Sequence, residues 1–99
     1  MLISQHNAWI HAAATIAIVV AGATLRISAV NWCLLTLAAV SVWVAEALNT
    51  AFEFLCDVTS PEFHPLVKKS KDVAAGAVLL SAIGAVLVGG FVFAPYLLR

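Results

Sequence analysis

With 99 residues, 64% of them hydrophobic and only 10% charged, the chain has too little polar surface to coat a water-soluble monomer; ordinary globular domains carry about 25% charged residues. The formal net charge of zero excludes the basic face that nucleic acid requires, so no nucleic-acid partner is expected. A mean hydropathy of +1.06 makes the bilayer the natural solvent, and residues 1–99 are expected to form a single membrane domain.

In chain order, the first apolar block covers residues 8–25 and is interrupted only by His11, small hydroxyls and Gly22. Residues 1–7 hold no Lys or Arg, and the block outruns a signal-peptide core, so the segment is expected to stay as a membrane span. A short connection follows, with Ser28 placed to cap the next helix. The second span covers residues 30–57, uncharged as far as Ala45 and then carrying Glu46, Asn49, Glu53 and Asp57. Residues 59–71 hold Ser60-Pro61 and His64-Pro65, which disfavour continuous helix and predict a structured turn at the membrane surface. The third span covers residues 72–97. Each block meets the length of about 20 residues that crosses the hydrocarbon. Inside lipid the backbone must satisfy its own hydrogen bonds, so the spans are helices and the fold is an all-α membrane protein of three transmembrane helices.

Lys68, Lys69 and Lys71 outnumber Arg26, the single basic residue of the first connection. The positive-inside rule then places the second connection and the N-terminus in the cytoplasm and Arg99 outside. Cys33 and Cys56 lie far apart in apolar surroundings and read as small buried hydrophobes without a disulfide. Trp9, Trp32 and Trp43 read as interfacial belt or packing residues, and His6 and His11 as interfacial polar residues. Gly76, Gly84, Gly89 and Gly90 are expected to permit close helix packing.

The acids of the second span are the informative residues. At 100° per residue, Glu46, Asn49, Glu53 and Asp57 fall at about 0°, −60°, −20° and +20° on a helix, one narrow stripe. A carboxylate facing hydrocarbon costs several kcal/mol, so such groups face protein or water and mark functional sites. The bland alternative is a helix that leaves the bilayer before Glu46, but a solvated end has no need to keep its polar groups on one face. Lys68 and Lys69 read as snorkelling anchors. Asp72 is expected in the first turn of the third helix, where the dipole favours an acid, and Lys71 beside it can face anionic phosphates. Acids able to hold Mg²⁺, a lysine for phosphates and an acid at the lipid boundary are the parts that phosphoryl transfer needs. A proton-coupled transporter is the competing class. It is disfavoured because all the intramembrane acids lie on one helix.

Three motifs carry a family resemblance. The run from Glu46 to Asp57, EALNTAFEFLCD, resembles the signature of the small prokaryotic diacylglycerol kinase/undecaprenol kinase family, with Phe52 and Cys56 as mild departures. Ser60-Pro61-Glu62-Phe63-His64-Pro65-Leu66 resembles its surface turn, and Lys71-Asp72-Val73-Ala74-Ala75-Gly76-Ala77-Val78-Leu79 resembles the opening of its third helix. The resemblance covers residues 4–97. It implies a homotrimeric helical bundle with active sites shared between neighbouring chains, in the bacterial cytoplasmic (inner) membrane. The implied reaction is transfer of the ATP γ-phosphate to a lipid alcohol, diacylglycerol or undecaprenol, with Mg²⁺ as cofactor. By resemblance, Glu46 is the general base and Asn49 supports it, while Glu53 ligates the metal that bridges the ATP phosphates. Glu62, Phe63, His64, Lys71 and Asp72 fall on nucleotide-side positions, and Ala75, with Glu46, on the lipid side.

Two departures bear on the activity that the family implies. The stretch Ser4-Gln5-His6-Asn7-Ala8-Trp9-Ile10-His11 resembles the family's entry to the first span, but Gln5 stands where a metal- and nucleotide-site Glu is usual and Trp9 where Arg is usual. The family pattern also has about twenty residues further upstream, an amphipathic surface helix. The second reading that follows is a weakened or inactive homologue acting as a membrane scaffold.

Overall fold

The computed structural model describes the backbone of residues 2–99 and the side chains of residues 8–99. Helices α1 (Leu2–Leu25), α2 (Ala29–Thr59) and α3 (Pro65–Leu98) run up, down and up in a bundle of 55 × 19 × 18 Å. All three are long and apolar enough to cross a membrane. The 34 residues of α3 extend about 50 Å at 1.5 Å per residue, beyond a hydrocarbon layer of about 30 Å. One or both ends of α3 therefore stand outside the apolar layer.

The connection expected over residues 59–71 is much shorter, because residues 65–71 are helical. The prolines bound the helices here and do not break them. Pro65 occupies the first helical positions of α3, where its fixed φ suits the helix and its missing N–H is not needed. His64 caps the helix: its Nδ1 accepts from the Leu66 N–H at 3.1 Å, and its carbonyl accepts from Lys68 N at 3.0 Å. Lys68, Lys69, Lys71 and Asp72 are therefore carried on α3, and Asp72 lies in its second turn and not in the first.

The opposite end is a tight α1–α2 turn. Ile27 N donates to the Gly22 carbonyl at 3.2 Å while Arg26 takes a left-handed φ of 53°, the closing pattern of a helix end. Ser28 caps α2 as expected, its hydroxyl accepting from Asn31 N at 3.2 Å. Buried Ile27, Leu35 and Val92 form the core at this end, with Trp32, Phe93 and Tyr96 packed against it. The Tyr96 hydroxyl accepts from Asn31 Nδ2 at 2.9 Å and from Ser28 N at 3.2 Å, which ties the end of α3 to the turn. Gly22 is the glycine that close packing requires. A Cβ there would lie 2.6 Å from Trp32 Cη2 and 3.1 Å from Ile27 Cδ1. Around Gly76, Gly84, Gly89 and Gly90 there is open space within the chain, so they permit no close packing of its own three helices.

Hydroxyls along the spans satisfy themselves by bonding back to the preceding turn, as Thr24 does to Val20 and Thr36 to Trp32. Thr15 does more. It donates to the His11 carbonyl at 2.7 Å and accepts from Trp43 Nε1 at 3.0 Å, joining α1 to α2. Trp43 is thus a packing residue, whereas Trp9 is 76% exposed.

Candidate active site

The polar face of α2 meets the rest of the bundle just where the sequence places its acids. Glu46 and Asn49 are 5% and 8% exposed, the only buried polar side chains among the described residues. Glu53 is half-buried and Asp57 exposed, so burial fades along the stripe toward the α2–α3 turn. Glu46 lies roughly 25 Å along α2 from Ala29, at 1.5 Å per residue, which leaves it well inside the span and nearer the α2–α3 end.

Asn49 Nδ2 donates to Glu53 Oε1 at 3.2 Å, one turn along the same helix. That bond fixes the amide, and Asn49 Oδ1 has no hydrogen-bond partner among the described residues. Both oxygens of the Glu46 carboxylate are likewise buried without a hydrogen bond. Buried polar groups are normally satisfied, and leaving one unpaired costs about 1–3 kcal/mol. Such a cost, concentrated on two neighbouring side chains of an apolar span, makes this the candidate site of the bundle.

One side chain of another helix reaches Glu46. His11 Nε2, from α1, is 3.7 Å from Glu46 Oε2, and it too is buried without a hydrogen bond. The imidazole meets Trp43 edge-on, with centroids 6.0 Å apart. It also lines an apolar cavity of about 240 Å³ together with Val42, Trp43, Ala82 and Val86. Sequence reasoning assigned His11 to the interface. The available signal was that His11 is the strongest polar interruption of the first apolar block and sits in the motif-like Trp9-Ile10-His11.

Nearer the turn, Lys71 Nζ on α3 is 3.7 Å from Asp57 Oδ1 on α2. This pair carries the stripe across to the third helix. Asp72 points elsewhere, bonded to Lys68 at 2.9 Å on the solvent-exposed side of its own helix. Glu62, Phe63 and His64 are all exposed in the turn, and Ala75 is exposed on α3 one turn past Lys71. The structure therefore gathers Glu46, Asn49 and Glu53, with Asp57 and Lys71 close by. It leaves Glu62, Phe63, His64, Asp72 and Ala75 outward-facing within one chain. Gln5 lies outside the described side chains. Among the described residues no three His, Cys, Asp or Glu side chains converge as a ready metal site.

The fold and this site define a class: an all-helical protein of three membrane-length helices with a buried carboxylate inside its bundle. The family model described as prokaryotic diacylglycerol kinase matches residues 1–93, and the chain belongs to that family. It is 43% identical to a diacylglycerol kinase of Synechocystis over 96 residues, covering 96% of this chain and 55% of that protein. It is 35% identical to the undecaprenol kinase of Bacillus subtilis over 94 residues, 95% of this chain and 76% of that protein. With the diacylglycerol kinase of Escherichia coli it shares 33% identity over 87 residues, 81% of this chain and 71% of that protein. The chain thus spans little more than half the length of the Synechocystis relative. No solved structure matches it.

Proposed function

We propose that the chain is a lipid kinase that transfers the γ-phosphoryl group of ATP to the hydroxyl of a lipid alcohol at the membrane surface. The observation that carries this reading is the Glu46 carboxylate, buried within an apolar span with no hydrogen bond and one turn from the Asn49–Glu53 pair. Membership of a family whose relatives are named diacylglycerol kinase and undecaprenol kinase supports it. The acceptor is an alcohol of one of these two kinds.

The chemistry is positioning plus proton transfer. The lipid keeps its chain in the bilayer and brings its hydroxyl to Glu46, which takes the proton as the oxygen attacks the γ-phosphorus. A new P–O bond forms, the bond to ADP breaks, and the products are a lipid phosphate and ADP. Asn49 bonds Glu53 and keeps its carbonyl oxygen directed into the site. Lys71 offers positive charge to the phosphates, exchanging its exposed pairing with Asp57, which is worth about 0–1 kcal/mol.

Mg²⁺ in nucleotide sites is held by one or two carboxylates and completes its shell with phosphate oxygens and water. A single half-buried carboxylate beside a buried, unpaired amide oxygen fits that mode, so Glu53 is its ligand here, with the Gln5 oxygen as the second, weaker donor. When bound, the ion neutralises charge on the transferring group.

Glu62, Phe63, His64 and Asp72 face the nucleotide and Ala75 the lipid, in a homotrimer where a neighbouring copy closes the site. Their exposure in one chain is what such a shared site requires. The location is the bacterial cytoplasmic membrane, with the Ser60–His64 turn and the N-terminus inside.

The test is transfer of label from γ-labelled ATP to lipid by the purified protein in mixed micelles, offered diacylglycerol and undecaprenol separately. Label in one of the two lipids, lost in Glu53→Gln, supports the reading; label in neither overturns it. The second reading, a weakened homologue serving as a scaffold, rests on Gln5 in place of a carboxylate. It predicts that Gln5→Glu raises a low or absent activity at least tenfold.

A further inference from the structure

We propose that His11 is the positioning partner of Glu46: its Nε2–H holds one carboxylate oxygen, Oε2, and leaves Oε1 to receive the proton of the lipid hydroxyl. This rests on the kinase reading above and adds a residue to it. Three observations point the same way. First, Nε2 and Oε2 are 3.7 Å apart, one small side-chain rotation from a hydrogen bond, and hydrogen bonds at catalytic groups are often long before substrate binds. Second, His11 Nε2 and both Glu46 oxygens have no hydrogen bond among the described residues, so each is the other's available polar neighbour in an apolar setting. Third, the imidazole is braced from behind. Trp43 packs edge-on against it, and Trp43 is itself pinned through its Nε1 to Thr15, whose hydroxyl bonds the His11 carbonyl.

The energetics favour such a pair. A lone carboxylate at this depth is costly, and a donor within reach is the means of keeping it in one orientation. A carboxylate gripped at one oxygen presents the other in a fixed direction, which serves a base that must meet an alcohol arriving from the bilayer. His11 also lines the apolar cavity beside Trp43 and Val42, so the same ring borders that apolar space and approaches the carboxylate.

Two variants and one spectrum test this. His11→Leu keeps the helix apolar and insertable but removes the donor; His11→Gln places an amide N–H near the position of Nε2. Lipid phosphorylation by His11→Leu is expected to fall about ten- to a hundredfold in kcat, the range for losing a group that orients a catalytic residue, with KM for ATP unchanged. His11→Gln is expected to recover most of that loss. Independently of activity, the imidazole ¹⁵N resonances of His11 in ¹⁵N-histidine-labelled protein are expected to move in Glu46→Gln while those of exposed His64 stay put. Wild-type kcat in His11→Leu, equal losses in the Leu and Gln variants, or His11 resonances indifferent to Glu46→Gln would each overturn the inference while the kinase reading stood. An unlabelled lipid with the wild-type protein would instead overturn the kinase reading itself.

Discussion

At the scale of single residues, the molecule concentrates its unsatisfied polarity. Glu46, Asn49 and His11 carry every buried side-chain nitrogen or oxygen that lacks a hydrogen bond among the described residues, and they lie around one point of the bundle. Replacing Asn49 by Ala removes the donor to Glu53, and by the proposed mechanism it weakens the metal site before the base. The expected outcome is a raised Mg²⁺ requirement together with about a tenfold lower kcat, read by titrating Mg²⁺ in the phosphorylation assay. Gly22 makes a separate, structural claim. An Ala Cβ gains about 1 kcal/mol of helix propensity but meets the Trp32 ring at 2.6 Å, and overpacking of this kind costs about 1–3 kcal/mol. The clash wins, so Gly22→Ala is expected to lower the unfolding midpoint in detergent, followed by circular dichroism, while Gly84→Ala, which meets open space, does not.

At the scale of elements, the acid stripe was legible in the sequence because helical periodicity and the cost of intramembrane charge together leave few places for Glu46 and Asn49 to point. Burial of these two follows from that, whereas the fading of burial toward Asp57 does not, since all four side chains share the stripe. The α2–α3 connection is shorter than its prolines suggest. Two prolines within five residues read as a structured surface turn over residues 59–71, yet Pro65 follows a His that can cap, and that order starts a helix. The consequence reaches Lys71 and Asp72, which the structure sets on different sides of α3: one toward Asp57, the other toward Lys68. The sequence marks His11 as a polar interruption of α1 but not its approach to Glu46, since nothing in a single sequence gives the rotation of α1 against α2. The cap itself is testable. His64→Ala removes the acceptor for Leu66 N, and the loss of a cap costs about 1 kcal/mol. A lower midpoint for unfolding is expected, whereas Asn at this position, a good capping residue, is expected to restore it.

At the scale of the whole molecule, one chain hides few of its side chains. Large apolar residues are exposed along all three helices, from Ile16 and Val20 on α1 to Leu80, Val86 and Phe91 on α3. Lipid covers part of that surface, and the proposed homotrimer covers another part, with Gly84, Gly89 and Gly90 giving open, small-residue ground on α3 for a neighbouring copy. Light scattering of the protein in mild detergent is expected to return three chains per particle. A single chain would leave the outward-facing Glu62, Phe63 and Asp72 with no site to complete. The most direct measurement of the central claim compares wild type and Glu46→Gln in both chemistry and nucleotide binding. In Glu46→Gln, kcat for lipid phosphorylation is expected to fall by about 10²–10⁴ while the Kd for ATP is unchanged, because Glu46 acts on the hydroxyl and not on the nucleotide. A Glu46→Gln protein that keeps kcat within about threefold of wild type would contradict it.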